Sequence, residues 1–297
     1  MYVPYTIICI VKKRTAYLGR KKEDLAMKKV RRVALVNRKG GCGKTTSLFS
    51  IAGVLAGEEK KKVFVIDLDA QMNTTSTMLM NVDDDVKPSK TIMDVLNGAD
   101  IEDALCGVKW QPRGRRDYVD YPVDVLCGDA SIDATDGLVS IDEDRLIEAG
   151  QRINEYINAN GYDWVLVDMP PSSKAINDFC FKYLADYMLS PFSPDEYSAS
   201  GYQQLLMDLE DARRVNTDAR IIGLFMNKKD SRFGLHKALD DELKQLDYYI
   251  CDVPYESAVA ESTYFGRPVC LYKTLSKSSM AYRKIVKVME QRIKKNV

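Results

Sequence analysis

The sequence lacks the cysteine pattern of a zinc site or of a disulfide framework. A zinc site needs closely spaced ligand pairs, and a small disulfide-stabilised domain needs a dense, even set. The seven cysteines are instead odd in number and dispersed, with no C-x-x-C pair: Cys9, Cys42, Cys106, Cys127, Cys180, Cys251 and Cys270. This distribution argues against both classes and predicts a cytoplasmic protein.

Long apolar runs and net charge are also missing. No stretch approaches the ~20 residues of a membrane-spanning helix, and the short apolar segment 5–11 is followed, not preceded, by basic residues, unlike a secretion signal. Lys and Arg total 43, as do Asp and Glu. Composition therefore predicts no membrane span, and net charge alone predicts no polyanionic partner.

The charges are nevertheless unevenly distributed. Both ends of the chain are basic, segments 12–32 and 273–297 above all, while the middle is acidic. Residues 1–26 match no pattern, and Met27 lies a few residues before the first apolar strand. We expect either a translation start at Met27 or a basic N-terminal arm, with residues 27–297 forming one domain that ends in a basic helix.

The most informative stretch is 33–47, where an apolar run ends in a glycine-rich turn that opens onto a helical pattern. Its three glycines permit backbone conformations in which successive N–H groups point at phosphate oxygens. The helix N-terminus adds a positive dipole, Lys44 can reach the β- and γ-phosphates, and the Thr45 hydroxyl can reach Mg²⁺. The predicted nucleotide contacts are Gly40, Gly41, Cys42, Gly43, Lys44, Thr45 and Thr46.

The loop departs from the general phosphate-loop pattern G-x-x-x-x-G-K-[ST], because Arg38 stands in place of its first glycine. Residues 39–46, Lys-Gly-Gly-Cys-Gly-Lys-Thr-Thr, instead resemble the deviant Walker A motif of the ParA/MinD class of ATPases, K-G-G-x-G-K-[ST]-[ST]. The signature of that motif is its extra lysine, here Lys39. The alternative, a glycine-rich turn with solvated lysines, rarely combines two lysines and three glycines behind an apolar run.

Two carboxylates end the next predicted strand, which reads as a buried parallel strand over 63–69. Residues 67–75 resemble the family's D-x-D-P-Q-x-N-x-T element, with Ala70 in place of the proline. The resemblance implies that Asp67 helps to hold the magnesium shell and that Asp69 orients the attacking water. Ordinary solvation of two acids is the alternative, which the neighbouring phosphate loop disfavours.

A third element covers residues 162–172, an apolar strand that ends at Asp168 and is followed by Pro170 and Pro171. It resembles the family's Walker B and second switch, D-x-P-P. The resemblance implies that Asp168 lies beside Thr45 and contacts Mg²⁺ through water. A strand-end aspartate can be purely structural, but the order of the three elements is more specific than any one of them.

Weaker matches follow in the C-terminal half. Asn227 resembles the strand-end asparagine that recognises adenine in MinD-like relatives, and Pro254 lies where the family has a second base-contacting loop. Residues 266–268 resemble the G-K-P turn before the last helix. Strands alternating with helices predict an α/β, doubly wound, mostly parallel sheet with helices on both faces and ligand at the carboxyl ends of the strands.

The resemblance implies a DNA partition ATPase closest to ParA and Soj. ATP and Mg²⁺ would stabilise a face-to-face homodimer that hydrolysis releases. Lys39 of each subunit would reach the partner's nucleotide, as an arginine finger does in trans. The expected catalytic residues are therefore Lys39, Lys44 and Asp69.

The expected partners are a second copy, nonspecific DNA and a centromere-binding, ParB-like protein, with a nucleoid-associated location if DNA is bound. Arg232 keeps one arginine that DNA-coating relatives share, but Ala258 stands where we align the second. We expect the basic last helix to compensate, through Lys294 and Lys295 in particular.

Three other functions compete with this one. A MinD-like ATPase that positions a protein or acts at a membrane would carry an amphipathic C-terminal helix, and residues 282–293 do form an apolar stripe. We expect that stripe to dock on the domain, because no Trp or Phe lies on it. A regulator without turnover is disfavoured by Asp67 and Asp69, and an iron-protein relative by the absence of a cysteine in a cluster-ligand context.

Overall fold

The computed structural model describes residues 29–135, 137–171, 173–193, 206–207, 209–210, 213–214, 216–230, 232, 244 and 247–295. The expected N-terminal extension, residues 1–26, lies outside them, and so does Met27. Within these ranges, none of the helices has the length and apolar character that crossing a membrane requires.

Eight strands of the described chain form one sheet in the order β3-β4-β2-β5-β1-β6-β7-β8. Neighbouring strands are parallel throughout, except that β3 runs antiparallel to β4. The strands are β1 Arg31–Leu35, β2 Val63–Asp67, β3 Leu105–Trp110, β4 Val119–Leu126, β5 Trp164–Asp168, β6 Tyr187–Phe192, β7 Arg220–Lys229 and β8 Tyr249–Pro254.

Helices of the described chain lie between strands or after the last one, and two of these helices continue as π-helical segments. They are α1 Lys44–Ala52, continued by Gly53–Glu58, α2 Asn73–Met78, α3 Ile92–Leu96, α4 Glu143–Ala159, α5 Lys174–Phe179, continued by Cys180–Leu184, α6 Ser257–Tyr264, α7 Val269–Tyr272 and α8 Lys277–Lys295. Short 3₁₀ turns lie at Glu102–Ala104 and Leu138–Ser140. The side chain of Asp142 caps α4 by accepting a hydrogen bond from the Arg145 N–H.

The central strands β2 and β5 are apolar up to their terminal aspartates, as expected of parallel strands that are covered on both faces of the sheet. All five residues of β2 and all five of β5 are buried. One apolar core contains side chains of α1 and α8, and a second, on the other face, contains side chains of α3, α4 and α5. The predicted doubly wound, mostly parallel sheet with helices on both faces is therefore confirmed.

Helix α8 packs its apolar stripe against the sheet. Tyr282, Ile285, Val286 and Met289 are all 0% exposed and belong to the same core as α1. The expected docking of this stripe on the domain is confirmed, since the side chains that would enter a membrane are already in the protein core.

The strand order brings three loops to one edge of the sheet. β5 lies between β1 and β2, and Asp168 is in register with Leu35 on one side and with Asp67 on the other. Parallel strands end at the same edge, so the glycine-rich loop after β1 lies beside both strand-end carboxylates.

Candidate nucleotide-binding site

The glycine-rich loop between β1 and α1 has the backbone of an anion cradle. Gly41 and Gly43 have φ values of 83° and 92°, in the left-handed region. Gly43 is also the N-cap of α1, where no side chain caps the first amides. Those N–H groups and the helix dipole thus remain available to an anion such as a phosphate group.

Asn227 braces this loop from the end of β7. Its Nδ2 donates to the Cys42 carbonyl at 2.8 Å, and its Oδ1 accepts from the Lys228 N–H at 3.0 Å. Lys228 Nζ also donates to the Gly41 carbonyl. Sequence reasoning did not predict this contact, because a partner 185 residues away leaves no local pattern. The adenine contact expected of Asn227 stays a prediction.

Lys44 lies inside the loop rather than in solvent. It is 6% exposed, and its Nζ donates to the carbonyls of Asn37 at 3.1 Å and Lys39 at 3.5 Å. Asn37 in turn donates to the Pro191 carbonyl at 2.7 Å and accepts from the Lys39 N–H at 2.9 Å. The loop therefore holds Lys44 between carbonyls, while Lys39 is exposed.

Three threonines hold the two strand-end carboxylates. Thr45 Oγ1 and Thr74 Oγ1 donate to Asp168 Oδ2 at 2.6 and 2.7 Å. The N–H and Oγ1 of Thr75 both donate to Asp67 Oδ2 at 2.8 Å. Asp168 thus lies beside Thr45, the arrangement that the resemblance implies. The sequence assigns no role to Thr74 or Thr75, although both fall within the matched segment 67–75.

The two carboxylates favour a cation between them. Asp67 and Asp168 are both 0% exposed. Burial raises the pKa of each, and the charge of Asp168 raises the pKa of Asp67 further. Asp168 Oδ1 is buried and has no hydrogen-bond partner among the described residues. A divalent cation would relieve the repulsion and use that free oxygen, so these residues fit Mg²⁺.

The small number of protein ligands also suits magnesium. The site offers two carboxylates, those of Asp67 and Asp168, and the hydroxyl of Thr45. Mg²⁺ keeps several waters and takes one or two carboxylates together with substrate phosphates. The set Thr45, Asp67 and Asp168 corresponds to such a site, although the metal role of each residue remains a prediction.

Asp69 lies in the turn after β2, closer to solvent than Asp67. Its N–H donates to Asp67 Oδ1 at 3.2 Å, and its Oδ1 accepts from the Gln71 N–H at 3.0 Å. Met72, with φ at 50°, closes the turn by donating to the Asp69 carbonyl at 2.8 Å. The turn therefore holds a partly exposed carboxylate next to the buried pair.

The remaining predicted residues are dispersed. Pro254 ends β8 in register with Lys229, at the same edge as Asn227. Arg232 follows β7, and its side chain is 81% exposed but paired with Asp230 through contacts at 2.9 and 3.0 Å. Lys294 and Lys295 are exposed at the end of α8.

Two arginines of the basic segment 273–297, Arg283 and Arg292, have structural roles. Arg292 donates to four backbone carbonyls, those of Ile222, Asp247, Tyr248 and Tyr249, at 2.7 to 3.2 Å. Arg283 pairs with Glu58 through contacts at 2.7 and 2.6 Å. Ala258 is 1% exposed, so its position offers no surface contact. The basic surface of α8 is therefore smaller than the sequence indicated.

The known proteins that this chain resembles include an ATPase, in agreement with a nucleotide-binding site. The family model AAA_31, an AAA domain, matches residues 30–221. The chromosome-partitioning ATPase Soj of Thermus thermophilus is 28% identical over 269 residues, covering 89% of this chain and 97% of that protein. The chromosome partitioning protein ParA of Caulobacter vibrioides is 29% identical over 269 residues, covering 87% and 93%.

Solved structures share the fold. Cobyrinic acid a,c-diamide synthase from Mycobacterium smegmatis, with bound ATP analog and magnesium, is 21% identical with a TM-score of 0.70, covering 91% of this chain and 97% of that chain. A plasmid partition protein from Borrelia burgdorferi bound to AMPPNP is 18% identical with a TM-score of 0.68, covering 89% and 100%.

At 21% and 18% identity, these solved structures are evidence for the fold alone. The family model, in contrast, spans more than half of the chain and is evidence for the family. The protein therefore belongs to the AAA_31 family, as a ParA/MinD-type P-loop ATPase whose relatives include the partition ATPases Soj and ParA.

Proposed function

We propose that this protein is a DNA partition ATPase that dimerises with ATP and is released by hydrolysis. The observation that carries the proposal is the pair of buried carboxylates, Asp67 and Asp168, held by threonines beside a phosphate loop that carries a second lysine, Lys39. The names of the relatives Soj and ParA support the partition role.

Substrate binding is assigned to the loop between β1 and α1. The amides of residues 40–46 donate to the phosphate oxygens of ATP, and Lys44 exchanges its bonds to the Asn37 and Lys39 carbonyls for the β- and γ-phosphates. This exchange replaces neutral acceptors by charged ones, which are stronger partners.

The metal is assigned to Thr45, Asp67 and Asp168. Magnesium bound there would offset the negative charge of the β- and γ-phosphate oxygens. The hydroxyl of Thr45, which donates to Asp168 in this structure, would turn its oxygen towards the metal. Asp67 and Asp168 would orient metal-bound waters, and Thr74 and Thr75 keep the two carboxylates in position.

Hydrolysis is assigned to Asp69 and Lys39. Asp69 orients a water for attack on the γ-phosphorus, with ADP as the leaving group. Lys39 is exposed, so it is free to extend to the nucleotide of a second subunit and offset the charge that develops there. The site is complete only in a dimer, so turnover and dimerisation are coupled.

The further partners follow from the partition role. We propose nonspecific duplex DNA, through Arg232, Lys294 and Lys295, and a centromere-binding protein of the ParB kind that links the ATPase to its DNA cargo. A cytoplasmic, nucleoid-associated location follows from DNA binding. The MinD-like alternative gains no support from α8, whose apolar stripe is buried against the sheet.

The decisive experiment measures ATP hydrolysis against protein concentration. We expect the rate per subunit to rise with concentration, because each site needs a lysine from a second subunit. Lys39→Ala should still bind ATP in calorimetry, but should lose the ATP-dependent dimer in light scattering and about 100-fold in rate. Lys61→Ala, at the opposite edge of the sheet, is the matched control and should behave as wild type.

Two results would contradict the proposal. One is a wild-type rate strictly proportional to protein concentration, with only monomer detected in ATP at every concentration. The other is full dimerisation and turnover by Lys39→Ala, which would assign the trans contact to another residue.

A further inference from the structure

An open cleft lies away from the nucleotide site, where the β3–β4 hairpin meets the turn between α6 and α7. Its volume is ≈ 300 Å³, and its walls are formed by Gln111, Tyr118, Phe265, Arg267 and Tyr272. None of these residues has a role in the ATPase cycle described above. The volume is at the lower end of the range for ligand pockets, which is about 300–1,000 Å³.

The cleft exposes aromatic rings. Tyr118 is 46% exposed and Phe265 50%. The rings of Phe265 and Tyr272 are stacked, with centroids 5.9 Å apart and an interplanar angle of 26°. Tyr264, which is 76% exposed, packs edge-on against Phe265 at 5.2 Å. Contiguous exposed rings of this kind mark interaction surfaces.

Arg267 forms the charged part of the cleft, and its buried Nε–H donor is unused within the described residues. Its Nη1 donates to Gln111 Oε1 at 2.9 Å and its Nη2 to the Leu271 carbonyl at 2.7 Å. Its Nε is buried without a hydrogen-bond partner in the described part of the chain. Among the described side chains, no carboxylate forms an ion pair with Arg267, so its positive charge is not neutralised locally.

More positive charge lies on the adjoining hairpin loop. Arg113, Arg115 and Arg116 are exposed there, and none of them is ion-paired with a carboxylate of the described residues. Gln111 Nε2 donates to the Arg116 carbonyl at 2.9 Å, while its Oε1 accepts from Arg267. One glutamine side chain thus joins the loop to the cleft.

We propose that this cleft and its arginine loop bind single-stranded nucleic acid. Unpaired bases would stack on Tyr118 and Phe265, and phosphates would face Arg267 and the loop arginines, since single-strand binding combines exposed aromatic rings with a basic track. This inference goes beyond the proposed function, which needs only duplex DNA and an ATP-dependent dimer.

The arrangement fits a strand better than the simpler nucleic-acid ligands. Duplex DNA stacks its bases on each other, so exposed rings gain nothing from it. A free mononucleotide would fill the cleft but would leave the three loop arginines without phosphates to neutralise.

The test is fluorescence anisotropy of a labelled 20-nucleotide thymidine oligonucleotide with the full chain, without ATP or Mg²⁺. Omitting nucleotide separates this site from ATP-dependent duplex binding. We expect wild type to bind, and Phe265→Ala and Tyr118→Ala each to weaken binding at least about fivefold. Tyr255→Ala is the matched control, because Tyr255 is 69% exposed but lies outside the cleft.

A second pair of variants avoids any change to the aromatic wall. Arg115→Ala and Arg116→Ala each remove one exposed charge. If that arginine contacts a phosphate, the fall of log K with log salt should become less steep, by about 0.7. Circular dichroism of every variant checks that the fold is retained.

Several outcomes would overturn the inference. They are no binding at low salt, equal loss in Tyr255→Ala, and unchanged binding in both Phe265→Ala and the arginine variants. Competition by duplex of the same length, or by thymidine monophosphate, at the concentration that suffices for the unlabelled strand would also overturn it. None of these results bears on ATP-dependent dimerisation, so the two proposals fail independently.

Discussion

At the scale of single residues, Gly43 and Asn227 lie closer together than any side chain at position 43 would allow. A Cβ added to Gly43 would lie 2.2 Å from Asn227 Nδ2, and the φ of Gly43 is 92°. Position 43 thus requires glycine for two reasons: its backbone is in the left-handed region, and the side chain of Asn227 leaves no room for a Cβ. The motif indicates only the first of these reasons.

Gly43→Ala should therefore destabilise the protein by about 2 to 3 kcal/mol, since left-handed strain alone costs roughly 1–2 kcal/mol and the Asn227 bond to Cys42 is also displaced. ATP binding in calorimetry should weaken as well. Gly161→Ala is the matched control, because Gly161 has φ at 69° with nothing within 4 Å of the added Cβ. If chemical denaturation gives the same loss for both variants, the contact with Asn227 contributes nothing.

Asp69 is the second residue whose role can be isolated. Asp69→Ala should leave ATP binding and dimerisation intact, because its carboxylate bonds within the turn after β2 and not to the phosphate loop. Hydrolysis should be abolished, because the proposed role of this carboxylate is to orient the attacking water. The expected state is a dimer trapped in ATP. Light scattering that detects only monomer would assign Asp69 a structural role in the turn instead.

At the scale of secondary structure, α8 contributes more than an apolar stripe. Tyr282 shares a hydrogen bond of 3.3 Å with Ser47 of α1, just behind the phosphate loop. At its other end, Arg292 binds the carbonyls where β7 and β8 begin. The helix thus runs from the nucleotide edge of the sheet to the opposite edge, and its basic residues have different environments along the way.

Arg292→Ala should lower the free energy of unfolding by about 2 to 4 kcal/mol, because it leaves several carbonyls without their donor. Lys294→Ala, two residues further along the same helix and exposed, should change it by no more than about 0.5 kcal/mol. Urea denaturation of both variants provides the comparison. Equal stability of the two would mean that Arg292 is as dispensable as a surface lysine.

At the scale of the whole molecule, the proposed DNA contacts lie far apart. Arg232 follows the carboxyl end of β7, whereas Lys294 and Lys295 lie near the start of that strand, beyond Arg292. Ten strand residues span roughly 30 Å. One subunit therefore cannot present all three side chains to the same few phosphates, and a continuous surface would have to be built by the dimer.

Duplex DNA binding should require ATP and fall with salt, with log K dropping by about 0.9 per neutralised phosphate for each tenfold rise in salt. Replacing both Lys294 and Lys295 by Ala should make the fall of log K with log salt less steep, by up to about 1.8. Arg232→Ala should have a smaller effect, because Asp230 already pairs with this arginine. ATP-independent or salt-insensitive anisotropy would contradict a dimer-built DNA surface.

Local patterns in the sequence determined much of this molecule. The buried strands at 63–67 and 164–168 follow from unbroken apolar runs, and the phosphate loop follows from glycines and lysines at fixed spacing. The acidic strand ends follow in the same way. Such features depend on residues close together in the chain, so their chemistry can be read before any fold is known.

The tertiary structure alone decided which of these features meet. The strand order β2-β5-β1 sets Asp67 beside Asp168, and no periodicity in the chain encodes that order. Asn227 reaches the phosphate loop and Arg292 the starts of β7 and β8 for the same reason. A contact between distant segments depends on how all the strands and helices pack together. From the sequence, the last helix is basic along its whole length. Only the packing decides that Arg292 binds backbone carbonyls while Lys294 is exposed to solvent.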